Sequence, residues 1–295
     1  MPGSCGELVQ GSIDGDYFLV SCPIDMYSTA TVELTDGSDR VYAPKNAPKS
    51  RRAVELTLAR FGRCDLDAHL SLSSQLPRGK GMASSTADVS AAIAATSVAL
   101  GEKEAMPPAE IARTALLIEP SDGVMLPGIS RFDHRRGNSA VTLGSPPPMR
   151  IVVLDFGGTV DTIAFNSVDR GNTLQCLQPK FEEALAFIVN GIDNGNPKDI
   201  GAGATLSAVT NQKMLYKPQL DSVLRIADEV GALGVNVAHS GTVLGILFED
   251  DMERTRHGIS RAQETLSGIR KIYDRRIVGG GVVSIVKSHS HMEAL

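Results

Sequence analysis

Between Pro77 and Asp88 the chain reads P-R-G-K-G-M-A-S-S-T-A-D, two glycines around a lysine and then three hydroxyl side chains. Gly79 and Gly81 let the backbone approach an anion closely, and Lys80 can bring a mobile positive charge. Ser84, Ser85 and Thr86 can each donate to phosphate oxygens. The alanine-rich run that follows to Leu100 predicts a helix, with Ser84 or Ser85 near its N-cap and Gly101 as its stop. First-turn N–H groups lack intrahelical acceptors, and the helix dipole favours negative charge at that end. The stretch therefore predicts a loop for the phosphates of a nucleotide. Its spacing is neither the G-x-x-x-x-G-K-S/T of P-loops nor the G-x-G-x-x-G of dinucleotide folds.

A second candidate is Glu119-Pro120-Ser121-Asp122-Gly123. Two carboxylates three residues apart could bind Mg²⁺ and orient or deprotonate a hydroxyl. The same residues also make an ordinary turn, so the chemical reading requires that this turn face the phosphate loop. A third is Asn236 to Gly245, where His239, Ser240 and Gly241 form a small polar turn between two apolar runs. That turn could be a plain hairpin or could present N–H groups to a ligand. Asp155-Phe156-Gly157 resembles a kinase D-F-G, but H-R-D and A-P-E partners are absent, and it reads as a strand ending in a glycine turn. His289 and His291 have no company that suggests a metal site.

The elements that must position these groups follow from periodicity. Pro2 to Gly11 is small and polar and reads as a loop. Tyr17 to Cys22 and Ser28 to Leu34 read as two strands separated by Pro23, and Ala68 to Ser74 as a strand leading into the glycine loop. Arg51 to Phe61 has helical spacing, and Pro107 opens a helix ending at Glu119-Pro120. Ser145-Pro146-Pro147-Pro148 is the clearest break in composition, which places an N-terminal ATP-binding domain at 1–146 and a C-terminal domain at 149–295. In the second half, Ile151 to Phe156 is a strand, followed by helices near 181–190, 198–213 and 219–230. Strands at 233–238 and 242–248, a helix at 252–266, and strands at 269–277 and 282–286 complete it. Strands alternate with helices in both halves, so the class is α/β or α+β.

Composition narrows the setting. A net charge of −5 with no basic stripe argues against nucleic acid, and no apolar run approaches the roughly 20 residues that span a bilayer. The four cysteines lack C-x-x-C spacing and fit reduced thiols, so a cytoplasmic location is expected. Oligomeric state, including a homodimer, is left open.

Taken in order, the segments resemble the GHMP kinases, the group of galactokinase, homoserine kinase, mevalonate kinase and phosphomevalonate kinase. Pro2 to Gly11 resembles their small-residue first motif, Pro77 to Ala87 their phosphate loop, and His239 to Gly245 their C-terminal glycine-containing loop. Lys80 and Met82 stand at less typical positions, and Ser4 replaces the lysine that mevalonate kinases carry. A narrower resemblance is to the L-threonine kinases of cobalamin synthesis. It is carried by P-x-S-C-G-E-L-x-Q-G at 2–11, V-S-C-P-x-D-x-Y-S at 20–28 and K-G-M-A-S-S-T-A-D at 80–88. I-E-P-x-D at 118–122 and G-V-N-V-A-H-S-G at 234–241 extend it.

The resemblance implies an α+β, two-domain fold. Its N-terminal lobe is of the ribosomal-protein type with a left-handed β-α-β crossover, against the usual handedness, and its C-terminal lobe is α/β. The sequence begins at the first motif, without the strand that usually precedes it, which bears on the edge of the sheet more than on the chemistry. The implied activity is transfer of the ATP γ-phosphoryl group to the hydroxyl of L-threonine, with another GHMP kinase such as a homoserine kinase as the runner-up. A nucleotide-binding regulatory module without phosphotransfer is the alternative of a different class. Pro77, Arg78, Gly79, Lys80, Gly81, Met82, Ala83, Ser84, Ser85, Thr86 and Ala87 are then expected at ATP, and Ser85 and Glu119 at Mg²⁺. Lys80, Ser85 and Asp122 are the expected catalytic groups, with Asp122 as base or hydroxyl-orienting group. Ser4, Glu7, Asp25, Tyr27, His239, Ser240 and Gly241 are expected near the amino acid.

Overall fold

The computed structural model describes residues 1–101, 105–158 and 171–283. Its framework is a ten-stranded sheet. The strands are β1 (Pro2–Ile13), β2 (Asp16–Asp36), β3 (Val41–Tyr42), β4 (Leu66–Ser74), β5 (Ile129–Phe132), β6 (Ala140–Gly144), β7 (Met149–Asp155), β8 (Gly234–Val237), β9 (Val243–Glu249) and β10 (Lys271–Arg276). The order is β10-β7-β9-β8-β1-β2-β4-β3, with β5 also on β2 and β6 on β5. Among the described pairs all are antiparallel except β3–β4. Antiparallel pairing with segregated helices makes the class α+β.

Pro2 to Gly11 is a strand, not the expected loop. Its small residues serve close packing: a Cβ on Gly3 would lie 2.2 Å from the Leu76 side chain, and one on Gly11 would lie 2.5 Å from the Phe181 ring. The two expected strands around Pro23 are likewise one strand of 21 residues. Pro23 lacks an N–H, and the ladder gives way beside it, with a register shift on β1 between Ser4 and Glu7. Beyond that point β2 changes partner and pairs with β4 from Ser28 to Asp36. One strand therefore belongs to both ends of a curled sheet.

The helices are α1 (Pro48–Arg60), α2 (Ser84–Ala99), α3 (Pro108–Leu116), α4 (Gly171–Asp193), α5 (Pro197–Asn211), α6 (Leu220–Glu229) and α7 (Met252–Thr265). Helix α2 packs on β2 between α1 and α3, and it is buried on nearly all sides because alanine and serine dominate it. Helices α4 and α5 lie against β1, and α6 and α7 cover β7 to β9. Helix α3 ends at Leu116 rather than at Glu119, so Ile118 to Asp122 is extended chain reaching inward. Ser145 to Pro148 connects β6 to β7. The sheet continues across it through the β1–β8 pairing at Glu7 and Val237. The last expected strand, 282–286, and both C-terminal histidines fall wholly or partly outside the described residues.

Candidate active site

The phosphate loop owes its shape to three left-handed residues in five: Gly79 at φ 70°, Gly81 at φ 81° and Ala83 at φ 54°. Ala83, not Ser84 or Ser85, is the N-cap residue, and it makes no side-chain cap. The serines are thereby shifted into the first turn, where their hydroxyls point out of the helix start. The loop's carbonyls are taken by the other two motifs. Ser4 N–H donates to Met82 O at 3.1 Å, and Gly6 N–H donates to Gly81 O at 3.1 Å. Thr242 and Val243 N–H groups both donate to Lys80 O, at 3.0 and 3.2 Å. With those carbonyls turned away, the unpaired N–H groups at the start of α2 open onto the cavity that residues 81–86 line. Gly241 packs so tightly here that a Cβ would meet Lys80 O at 2.2 Å. Asn236 ties the first and third motifs, its Nδ2 donating to Cys5 O at 2.5 Å.

The Glu119 to Asp122 turn does face this loop. Ser85 Oγ hydrogen-bonds Glu119 Oε1, and Thr86 Oγ1 accepts from the Asp122 backbone N–H at 3.2 Å. Lys49 Nζ closes on Glu119 Oε2 at 2.5 Å. Burial first, and then the Glu119 charge, raises the Asp122 carboxyl from 3.8 to about 6. Behind it lies Glu7, 3% exposed. Burial and the nearby Asp122 charge raise Glu7 well above the usual carboxylate range, opposed by a hydrogen bond with Ser21. On the far wall His239 Nδ1 is 2.5 Å from Gln10 Oε1 and edge-on to His134, ring centroids 5.1 Å apart. Burial, and then Arg135, push His134 down to about 3, so its imidazole is neutral.

These groups surround one cavity of about 460 Å³. Arg78, Gly79, residues 81–86, Glu119, Asp122, His239 and Ser240 line it, which brings together most of the expected ATP and metal residues. Several expectations need correction. Lys80 is absent from the wall: its Nζ donates to Gly158 O at 2.8 Å and pairs with Asp155 Oδ1 at 3.3 Å. It pins the loop to the end of β7 and is not a mobile charge at the phosphates. Pro77 and Ala87 also lie off the wall, the latter buried inside the helix packing. Asp25 and Tyr27 fall on the outward parity of β2, while Ile24, Met26 and Ser28 are buried. Asp25 Oδ1 accepts from Arg276 N–H instead. Ser4, Glu7 and Gly241 sit behind the wall, as supports.

Sequence reasoning missed Lys49, Asp88 and His134, all on the wall. Asp88 carried no signal beyond ending the loop motif; its carboxylate accepts from Ser28 Oγ at 2.5 Å and faces Arg78 at 3.6 Å. Lys49 stands at the start of α1, where no local pattern distinguishes it from a surface lysine.

Two family models match the chain: the GHMP kinases N terminal domain over residues 49–127, and the GHMP kinases C terminal domain over 184–263. The L-threonine kinase of Citrobacter freundii is 34% identical over 261 residues, covering 88% of this chain and 87% of that protein. The L-threonine kinase of Salmonella typhimurium strain LT2 is also 34% identical, covering 90% and 86%. This chain is a GHMP kinase. Among solved structures, the homoserine kinase of Cytophaga hutchinsonii superposes with a TM-score of 0.72 at 16% identity, covering 95% of this chain and 94% of that one. As a GHMP kinase the protein is an ATP-dependent phosphotransferase, and its phosphate loop and acidic turn converge on one cavity as that activity requires. The family's two-domain α+β architecture agrees with the expectation from the motifs.

Proposed function

We propose that this GHMP kinase transfers the γ-phosphoryl group of ATP to the side-chain hydroxyl of L-threonine, giving O-phospho-L-threonine for the aminopropanol arm of cobalamin. The observation that carries the chemistry is the pair of hydrogen bonds from Ser85 to Glu119 and from the Asp122 N–H to Thr86. They hold a carboxylate that titrates near 6 beside a phosphate loop. The choice of acceptor is supported by the likeness to two L-threonine kinases over most of the chain. Cobalamin synthesis rests on the same likeness, and ATP supply and four free cysteines fit a cytoplasmic setting.

Phosphoryl transfer proceeds through a loose transition state, so positioning and charge neutralisation dominate. The N–H groups opening α2 cradle the phosphates, and Arg78 and Lys49 supply positive charge from the rim. Asp122, ionised at neutral pH, accepts the hydrogen bond of the acceptor hydroxyl and takes its proton as the new O–P bond forms. The buried acid Glu7 keeps a second negative charge away from that carboxylate. A hydroxyl and a carboxylate, Ser85 and Glu119, form the hard-oxygen pair that suits Mg²⁺, which completes its shell with phosphates and water. Bound there, the ion would neutralise charge on the β- and γ-phosphates. Among the described residues no cluster of three or more His, Cys, Asp or Glu offers an all-protein metal cage, which also suits a metal brought by the nucleotide.

The test is acceptor-dependent ADP release with L-threonine, L-serine and L-homoserine, each with and without Mg²⁺. Preference for L-threonine with a Mg²⁺ requirement is expected. Preference for homoserine would move the acceptor to the runner-up reading, where one methylene separates substrates by only about 1–3 kcal/mol. No turnover with any acceptor would leave a nucleotide-binding regulatory module.

A further inference from the structure

Behind the His239 wall lies a charge that the phosphate chemistry does not use. Lys217, between α5 and α6, is 6% exposed, and its Nζ donates to Gly241 O at 2.6 Å. Among the described residues no carboxylate pairs with that ammonium. Burial alone pulls it down from 10.5 to about 8, which still leaves it charged at neutral pH. An ammonium has three donors, and one carbonyl engages only one of them. A neutral side chain could tether that carbonyl equally well. Burying a charge for the purpose makes sense when an anion comes to it.

The surroundings supply the opening. Lys217 lines a small cavity of about 20 Å³, together with Gly11, Tyr17, Arg135 and His239. That is room for one water-sized group, such as a carboxylate oxygen. The guanidinium of Arg135 lies 3.6 Å over the Tyr17 ring and adds a second positive charge. His239 is shared between this cavity and the large one that holds Asp122. His134, edge-on to His239, lines the large cavity with both ring nitrogens unpartnered and buried. A small molecule whose hydroxyl meets Asp122 can therefore extend past the two histidines and end its anionic group at Lys217.

We propose that Lys217, backed by Arg135, is the subsite for the α-carboxylate of the acceptor. The inference rests on the reading above that the acceptor is a hydroxy amino acid. It assigns the C-terminal lobe a share in choosing that acceptor, through a residue far in sequence from every motif. Lys217 thus does two jobs with one ammonium, bracing the 239–241 turn and closing the acceptor site.

The experiment compares L-threonine with two analogues that keep the hydroxyl but lack the carboxylate, L-threoninamide and (R)-1-amino-2-propanol. The wild type is expected to favour L-threonine by about 100-fold or more in kcat/KM, the range for removing one partner of a buried charge pair. Lys217→Met is expected to lose about 100-fold on L-threonine, mostly in KM, while the two analogues change by less than about threefold. Lys217→Arg should recover part of the loss. An unchanged KM for ATP would show that the turn still holds Gly81. Equal losses on all three acceptors would make Lys217 a tether only and overturn the subsite. A wild type that does not discriminate against the analogues would overturn it without any variant. Turnover of L-serine or L-homoserine in place of L-threonine would sink the choice of acceptor alone, and the same comparison with that amino acid and its amide would still test Lys217. Turnover of uncharged alcohols only would overturn both.

Discussion

Asp122 carries a conflict between stability and chemistry. Its carboxyl titrates near 6 rather than 3.8 because burial and Glu119 disfavour the charge. Between those two values the folded chain holds a proton that the unfolded chain has released. Stability contributed by this group therefore falls as pH rises through that window, by about 3 kcal/mol in all. Asparagine has no proton to lose. Asp122→Asn is expected to unfold at higher urea than the wild type at pH 7.5 and at nearly the same urea at pH 4, while kcat falls by at least about 100-fold. A variant that is inactive but no more stable would contradict the burial argument. In the wild type, kcat/KM should drop about tenfold per unit below pH 6 as the base protonates. Retention of kcat within a few-fold in Asp122→Asn would remove the base and leave an electrostatic site built on Ser85.

Lys80 belongs to the same scale and makes the opposite case. The sequence reading put its charge on the phosphates because a lysine between two glycines invites that role. Tertiary structure decided otherwise, through an aspartate 75 residues away in the chain that ends β7. Lys80→Met is expected to raise the KM for ATP several-fold and to leave kcat within about threefold. It should cost about 3 kcal/mol of stability, since Asp155 loses its buried partner. A kcat loss of about 100-fold at unchanged KM would return Lys80 to the transferring group.

At the scale of elements, what was legible was chemistry with a local signature. A glycine-hydroxyl run followed by an alanine-rich helix marks a phosphate loop wherever it occurs, and Glu119 and Asp122 were found because their spacing is short. The turn at His239 to Gly241 was found for the same reason. The failures share a cause. Pro2 to Gly11 looked like a loop because small residues were taken as a sign of freedom, whereas they let a strand pack on Phe181 and Leu76. Asp25 and Tyr27 were misplaced because parity along β2 is set by its neighbours and not by the motif. Lys49, His134 and Lys217 reach the site from separate elements and leave no pattern in their own neighbourhoods. The tightest joint between elements is the Gly81–Gly241 contact. A methyl group at 241 would stand 2.2 Å from Lys80 O and 2.3 Å from Gly81, all backbone atoms that cannot swing aside. Gly241→Ala is expected to weaken nucleotide binding by at least about tenfold in a titration calorimeter, with the far-ultraviolet circular dichroism unchanged. Unaltered affinity would mean that the third motif does not set the shape of the phosphate loop.

For the molecule as a whole, the question is what the two-lobed architecture means for folding. The break at Ser145 to Pro148 divides the chain near its middle, and each family model falls on its own side. The core does not respect that division. Val9, Phe18, Ile24 and Ile93 share one buried cluster with Ile151, Phe181, Ile188 and Val243. Only Val152, Leu154, Ile226, Phe248 and their neighbours form a second cluster confined to the C-terminal half. Burying one such side chain contributes about 1.5–3 kcal/mol, and a whole domain keeps only about 5–15 kcal/mol of net stability. The N-terminal half cannot expose the β1 face that α4 and α5 cover and keep that margin. The active-site cavity needs the same contact, since His239 and Ser240 close it from the other lobe. Expressed alone, residues 1–147 are therefore expected to give no cooperative thermal transition, while the intact chain melts in a single step that ATP with Mg²⁺ shifts upward. Co-expression of 1–147 with 148–295 should restore that step if the shared core drives assembly. Cooperative melting of 1–147 by itself would make the lobes independent domains, and the site a joint between two finished folds.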